Sequence, residues 1–205
     1  MLLLVTFVLA AFVSITCVQI VPQNNIKVVE RNGQSHKILY PGINIIIPII
    51  DKLKRINWTV QAENRNGKII NKLIKTSKIY LGEETYKLSM QDVITRCSLS
   101  IEINPICIFF QIVEPIKAVC SVQDIFKTLD EQTKTVIKNH FLELDITNIL
   151  TSQAEIQEDI TKKLNEITNN YGIKICRVEL IIPLSKDEFN TIKEKLDSKS
   201  TEIPE

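Results

Sequence analysis

The stretch Tyr40-Pro41-Gly42-Ile43-Asn44-Ile45-Ile46-Ile47-Pro48-Ile49-Ile50-Asp51 contains the pattern that decides the fold. Pro41-Gly42 predicts a tight turn, and the apolar run after it predicts a strand over Ile43 to Ile47. Ile26 to Glu30 and Leu53 to Val60 also read as strands, with Asn32-Gly33 as a further turn. The N-terminal half of the chain is therefore expected to form a sheet.

Towards the C-terminus the hydrophobic period changes from two to about 3.6. Val93 to Val113 reads as two strands or one bulged edge strand, because Asn104-Pro105 interrupts it. Helical spacing follows in Gln123 to Leu144 and in Ser152 to Tyr171. A strand from Ile173 to Ile182 and a short helix from Ser185 to Lys199 complete the predicted order. This order indicates an α+β domain, a curved and mainly antiparallel sheet with helices packed on it.

Explicit end signals accompany the second predicted helix. Ser152-Gln153-Ala154-Glu155 has the spacing of a capping box, in which the first and last side chains bond to each other's backbone. Gly172 follows Tyr171 and suits a left-handed C-terminal cap. We expect this helix to end there, so that the chain can rejoin the sheet.

An uncharged apolar run precedes the sheet and predicts a transmembrane anchor over residues 1–21. Twenty helical residues, Leu2 to Val21, would span about 30 Å, which is the hydrocarbon thickness of a bilayer. Leu2, Leu9, Phe12 and Val21 represent this anchor. The alternative is a cleavable signal peptide, but no basic residue precedes the run and the first lysine is Lys27. No proline interrupts the run, which favours a single span over a hairpin.

The charges after the run predict the orientation of the anchor. Six basic residues against Glu30 and Asp51 lie between positions 22 and 60, namely Lys27, Arg31, Lys37, Lys52, Lys54 and Arg55. A basic excess on the C-terminal flank places the body of the protein on the cytoplasmic side. Five cysteines without a C-x-x-C pair agree with a reducing compartment.

Four motifs in the same order resemble one family. They are Val21-Pro22-Gln23 with Glu30-Arg31, Gly33 and Pro41-Gly42-Ile43-Asn44 through Pro48 and Asp51; Val113-Glu114-Pro115-Ile116-Lys117-Ala118; Leu144-Asp145-Ile146; and Tyr171-Gly172-Ile173 leading to Val178-Glu179. Together they resemble the stomatin/prohibitin/flotillin superfamily (SPFH, or band 7, domains), on its stomatin-like branch. The resemblance implies an SPFH domain over residues 22–184, with a short C-terminal helix and tail over 185–205.

Two departures from the family pattern lead to further expectations. Residues 61–82 look like an insertion, which we expect to be a hairpin around Asn66-Gly67 rather than an amphipathic helix in the headgroup plane. Family members usually continue into a long coiled coil, whereas the helix from Ser185 offers about two turns of apolar seam. We therefore expect small oligomers, held by the domain and the membrane segment.

The function that the resemblance implies is a membrane-anchored scaffold that organises membrane microdomains, or holds and regulates a channel or protease, through self-association with like or related subunits. Pro41, Gly42, Ile43 and Pro48 would face the membrane. Cys17 is a candidate for acylation, although a small apolar residue in a membrane helix is the simpler interpretation. The alternative function is a membrane-tethered lipid-binding module without a scaffold role.

Motifs of catalysis are absent from the sequence. There is no Gly-rich phosphate loop, no G-x-S-x-G elbow and no H-E-x-x-H motif. We expect His36 and His140 to be surface residues, and Cys120 and Cys176 to be core thiols. These patterns argue against an enzyme, including a membrane-tethered hydrolase, and against a cofactor, a metal site or nucleic-acid binding.

Overall fold

The computed structural model describes residues 1, 17–63, 69–88, 91–96, 100–144, 148–149 and 152–181. Its strands are β1 (Val18–Val21), β2 (Asn25–Arg31), β3 (Gln34–Leu39), β4 (Gly42–Ile45), β5 (Asp51–Leu53), β6 (Ile56–Glu63), β7 (Ile69–Thr76), β8 (Ile79–Tyr80), β9 (Glu84–Leu88), β10 (Gln91–Ile94), β11 (Ser100–Ile103), β12 (Ile106–Ile112) and β13 (Ile173–Leu180). Its helices are α1 (Pro115–Ser121), α2 (Ile125–Glu143) and α3 (Gln153–Thr168), the last followed by a 3₁₀ turn over Asn169–Tyr171.

Antiparallel pairing joins these strands into several small sheets. Strand β2 pairs with β3, β5 and β8, whereas β12 lies between β13 and β9. Three further pairs are β1 with β4, β6 with β7, and β10 with β11. Strands with helices packed on them confirm the predicted α+β class. Among the described residues, none of the helices has the length and apolar character needed to cross a bilayer.

Strand β2 separates two hydrophobic cores because both of its faces are buried. Ile26 and Val28 belong to a main core, which also contains the inner faces of β12, β13, α2 and α3. The next residue, Val29, lies on the opposite face and belongs to a small core. We define the small core as Val21, Val29, Leu39 and Ile46, with the partly buried Leu53 packed against them.

Aromatic rings hold α2 against the sheets in the main core. The Phe126 ring lies with its centroid 5.0 Å from that of Trp58, 5.3 Å from Tyr86 and 5.9 Å from Phe110. The Trp58 and Phe110 contacts are edge-to-face, an arrangement that adds to the burial of apolar area. This cluster fixes the start of α2 over strands β6, β9 and β12.

The helix ends partly follow the sequence. Pro115 begins α1, and Gly172 takes a left-handed φ of 70° after the 3₁₀ turn, as predicted. The capping box was wrong, since the Ser152 side chain makes no capping hydrogen bond. The clearest side-chain cap is instead Asp124, whose Oδ1 accepts from the backbone N–H groups of Phe126 and Lys127 at 3.0 and 3.1 Å.

Other boundaries differ from the expectations. The run Leu53 to Val60 divides into two strands, β5 and β6, and Asn104-Pro105 separates β11 from β12. Strands β6 and β7 pair as in the expected hairpin, with Trp58 opposite Ile74 and Ala62 opposite Ile70. Its Asn66-Gly67 tip lies outside the described residues, as does the predicted C-terminal helix. The predicted anchor was wrong in its last four residues, because Val18 to Val21 form β1 and pair with β4.

Candidate functional site

Strands β1 and β4 are antiparallel neighbours, which we call the β1–β4 pair, and one of its faces is entirely apolar. Val18 pairs with Ile45 and Ile20 with Ile43, so these four side chains share one face. That face is open to solvent, with Ile20 70 % and Ile43 78 % exposed. A strand pair on a protein surface normally turns polar residues outward. We call these four residues the outer face.

An exposed apolar loop continues the outer face beyond β4. It comprises Ile47, Pro48, Ile49 and Ile50, and the Ile49 side chain is 89 % exposed. The loop closes on itself, because the N–H groups of Ile50 and Asp51 donate to the Ile47 carbonyl at 3.0 and 2.7 Å. We call residues 47–50 the isoleucine loop.

Asp51 fixes the shape of the isoleucine loop. Its Oδ2 accepts from the Ile47 N–H at 3.0 Å, and its Oδ1 accepts from Arg31 Nε at 2.8 Å. The hydrogen bond from Arg31, together with that from Ile47, lowers the pKa of Asp51 from its ordinary value of 3.8 to about 2. The carboxylate therefore stays ionised, and it holds both ends of the loop at any physiological pH.

The opposite face of the β1–β4 pair closes the small core. Val21 and Ile46 point inward and are 2 % and 6 % exposed. The side chain of Lys27 is buried beside them, and its ammonium donates to Gln19 Oε1 at 3.1 Å and to the Ile20 carbonyl at 3.5 Å. Burial, followed by the charge of Lys78, lowers the pKa of Lys27. The β1–β4 pair is thus anchored to the domain by its inner face.

A contiguous exposed apolar surface on a folded domain marks a contact with another apolar phase. The outer face and the isoleucine loop are adjacent in sequence and held rigid by backbone pairing, the small core and Asp51. Lys37 lies at the border of this surface, where its ammonium donates to the Ile45 carbonyl at 2.8 Å. Isoleucine and proline side chains offer no acid, base or nucleophile, so the surface is suited to binding.

Two residues of the predicted membrane-facing motif, Ile43 and Pro48, belong to this surface, and Pro41 and Gly42 directly precede Ile43. Pro41, Gly42, Ile43 and Pro48 are all exposed in and around β4. Sequence reasoning missed Val18 and Ile20, which it assigned to the anchor although they alternate with Gln19 at period two. It was also wrong for Val21, a buried residue of the small core. Leu2, Leu9 and Phe12 lie outside the described residues.

The residues with reactive side chains are dispersed. Cys17 is half-buried, and its carbonyl accepts from the Ile46 N–H at 2.8 Å, next to the β1–β4 pair. His36 is exposed as predicted, but His140 is buried between α2 and α3, where Lys163 Nζ lies 3.1 Å from its Nδ1. The prediction of core thiols was wrong for Cys120, which is exposed with its Sγ 3.1 Å from Ser35 Oγ, whereas Cys176 is half-buried.

Comparison with known proteins follows the same division into a short N-terminal stretch and a folded domain. A family model described as SPFH domain / Band 7 family matches residues 19–196, so the match begins within β1. The chain is 24 % identical over 165 residues to human stomatin-like protein 2, mitochondrial, covering 80 % of this chain and 40 % of that protein.

Two further relatives come from other organisms. An uncharacterized protein of the archaeon Methanothermobacter thermautotrophicus is 25 % identical over 153 residues, covering 75 % of this chain and 41 % of its own length. One from Schizosaccharomyces pombe is 25 % identical over 165 residues, covering 80 % and 40 %. The chain thus spans about two fifths of the length of these relatives.

Proposed function

Because this chain belongs to the SPFH domain / Band 7 family, on its stomatin-like branch, we propose that it is a membrane-bound scaffold of the stomatin/prohibitin type. The domain would rest on the bilayer through the outer face and the isoleucine loop. By associating with copies of itself or with related subunits, it would organise the surrounding membrane or hold a membrane partner such as a channel or protease.

The observation that carries this proposal is the exposure of isoleucine side chains on the rigid β1–β4 pair and on the isoleucine loop. Ile20, Ile43 and Ile49 lose their unfavourable contact with water when they enter the boundary between headgroups and acyl chains. The β1–β4 pair need not refold to do so, because its inner face already completes the small core. Contact with the bilayer would therefore involve little loss of conformational entropy.

The predicted anchor fits this geometry. Strand β1 begins at Val18, directly after the apolar residues 2–17, so an anchor there would enter the bilayer next to the outer face. The basic excess after the run places the domain on the cytoplasmic side in our proposal. Cys17, at this junction, remains the candidate for acylation.

Depth-dependent fluorescence quenching tests the membrane contact. Trp58 is the single tryptophan of the chain, so Trp58→Phe provides a background without tryptophan. On it, Ile43→Trp and Ile49→Trp each report from the proposed surface, and Leu142→Trp reports from the exposed end of α2 as the control. In nanodiscs with brominated acyl chains, we expect strong quenching at Ile43 and Ile49 and little at Leu142. Equal quenching at all three positions would exclude a specific contact through this surface.

Mass measurement tests the scaffold role separately. In nanodiscs or detergent, a scaffold should have the mass of two or more copies of the chain. A lipid-binding module without a scaffold role should have the mass of a monomer at the same concentrations. Cross-linking in native membranes provides the matched check on oligomers that detergent dissociates. A chain that is monomeric in both experiments, yet passes the quenching test, would be a lipid-binding module without a scaffold role.

A further inference from the structure

A polar cleft of about 570 Å³ opens between the β5–β6 connection and the end of α1. Its volume falls within the range of small-molecule sites. Lys54 and Arg55 line one wall, and Ser121 and Gln123 line the other. Val119 and Val122 contribute apolar atoms between them. The cleft is distinct from the outer face and the isoleucine loop, with which it shares no residue.

The charges in this cleft favour an anion. Lys54 Nζ is 2.6 Å from Glu30 Oε1, which leaves the ammonium two more hydrogens to donate. Arg55 is exposed, and it forms no ion pair with any residue that the structure describes. A guanidinium offers a planar fork of donors that matches the oxygens of a phosphate group.

The acids near the cleft already have partners. Glu30 is bound to Lys54, and the carboxylate of Asp124 accepts the two backbone N–H groups at the start of α2. The carbonyl groups at the end of α1 oppose an anion, but a helix terminus corresponds to only about half a charge. Of the two charged side chains that line the cleft, Arg55 is therefore the one without an ion-pair partner among the described residues.

Neutral donors complete the lining. Asn57 and Gln123 present side-chain amides and Ser121 presents a hydroxyl, and within the described part of the chain none of these three groups is hydrogen-bonded to protein. Donors without protein partners next to two cations suit a ligand with several oxygens, such as a phosphorylated polyol, better than a single small ion.

The cleft also lies close to the proposed membrane contact along the chain. Strand β5 is three residues long and connects the isoleucine loop to Lys54. Arg55 lies five positions after Ile50, so their Cα atoms are at most about 18 Å apart. A headgroup that projects from the bilayer surface beside the isoleucine loop could therefore reach the cleft.

We propose that the cleft between Lys54, Arg55, Asn57, Ser121 and Gln123 binds a phosphorylated headgroup. Arg55 would grip a phosphate with two parallel N–H donors, Lys54 would share its charge between Glu30 and the ligand, and the amides and hydroxyl would bind the polyol. The delivery of this headgroup by a lipid rests on the proposed membrane function, whereas the chemistry of the cleft does not.

Calorimetric titration of the full chain in phosphatidylcholine nanodiscs tests the cleft without any anionic lipid. The probes are soluble inositol 1,4,5-trisphosphate and inorganic phosphate. We expect the trisphosphate to bind more tightly, and Arg55→Gln to weaken its binding at least ~10-fold through the loss of charge-assisted hydrogen bonds. Lys138→Gln removes the same charge from an exposed position on α2 and should change the affinity less than ~2-fold.

Amide hydrogen exchange identifies the source of the ligand. In nanodiscs that contain phosphatidylinositol 4,5-bisphosphate, residues 54–57 and 119–123 should become protected in the parent chain and not in Arg55→Gln. Protection by the soluble headgroup alone would assign a free ligand, and it would leave the cleft standing even if the quenching experiment excludes membrane contact. Absence of protection with every probe, or equal weakening by Arg55→Gln and Lys138→Gln, would overturn the proposal.

Discussion

Arg31 Nε lies 2.8 Å from Asp51 Oδ1, and this ion pair connects strand β2 to the end of the isoleucine loop. The Asp51 side chain is almost fully buried, whereas that of Arg31 is one-third exposed. A charged residue at the base of an apolar loop thus decides how four hydrophobic side chains are presented to their surroundings.

The first prediction concerns pH. Because the pKa of Asp51 is lowered in the folded state, its ionised form stabilises the fold above 3.8, and this contribution is lost as the pH falls towards 2. We expect the thermal midpoint to fall between about pH 4 and pH 2, and Asp51→Asn to show a lower midpoint at pH 7 with a flatter pH dependence. Asp92→Asn, at an exposed position on β10, should retain the profile of the parent.

The second prediction concerns a pair of glycines with positive φ. At Gly172, with φ of 70°, an added Cβ would lie 2.5 Å from the Glu114 carbonyl oxygen. At Gly33, with φ of 80°, an added Cβ would meet nothing within 4 Å. Both alanine variants incur the left-handed backbone penalty of about 1–2 kcal/mol, and Gly172→Ala should incur the steric clash in addition. Urea unfolding should therefore show the larger loss for Gly172→Ala, and equal losses would contradict the close approach.

The third prediction contrasts a core residue with an outer-face residue. Phe126→Ala removes the ring at the centre of the aromatic cluster and should lower the free energy of unfolding by about 3–5 kcal/mol. Ile43→Ala truncates a side chain that is 78 % exposed and should change it by less than about 0.5 kcal/mol. Denaturant titration measures both. A large loss for Ile43→Ala would mean that the outer face packs against the domain in solution.

The fourth prediction concerns His140. Burial, followed by the charge of Lys163, lowers its pKa, although Asp159 and Glu143 oppose this shift. The unfolded chain then binds more protons than the folded one near the ordinary value of 6.5, so stability decreases as the pH falls through that value. His140→Gln should remove this decrease between about pH 7 and pH 5, whereas His36→Gln, at an exposed position on β3, should leave it intact. Stability against pH, from urea titrations, compares the three chains.

Sequence patterns predicted the elements whose faces differ in polarity. The helices α2 and α3 and the strand β13 each bury one stripe, and the positions of Ile156, Ile160 and Leu164 show it directly. Strand β9 was missed because Glu84 to Leu88 is short and has few apolar residues. Strand β1 was missed for the opposite reason: Val18, Ile20 and Val21 continue the apolar run before them, although they lie on two different faces of the strand.

The same distinction explains the candidate site. Pro41, Gly42 and Ile43 could be found from the sequence because a turn precedes them, whereas Ile20 could not be separated from the apolar run before it. The cleft depends on a tertiary contact: Arg55 and Gln123 are far apart in the chain and line one cavity because Asn57 forms a bridge with Asp124. No local sequence pattern predicts such a tertiary contact.

The β1–β4 pair raises the question of what fixes the register of its two strands. In most surface strands hydrophobicity selects the register, since a shift by one residue would turn every apolar side chain outward. Here Val18 and Ile20 are nearly as apolar as Val21, so a shifted strand would find little penalty from burial. A polar contact between strands supplies the missing information: Gln19 Oε1 accepts from the buried Lys27, which fixes the face that β1 turns inward. Asn44 Nδ2 donates to the carbonyls of Tyr40 and Gly42 at 2.7 and 3.2 Å and holds the start of β4. One amide bound to a buried ammonium thus sets the alignment of a strand that its apolar side chains alone would leave ambiguous.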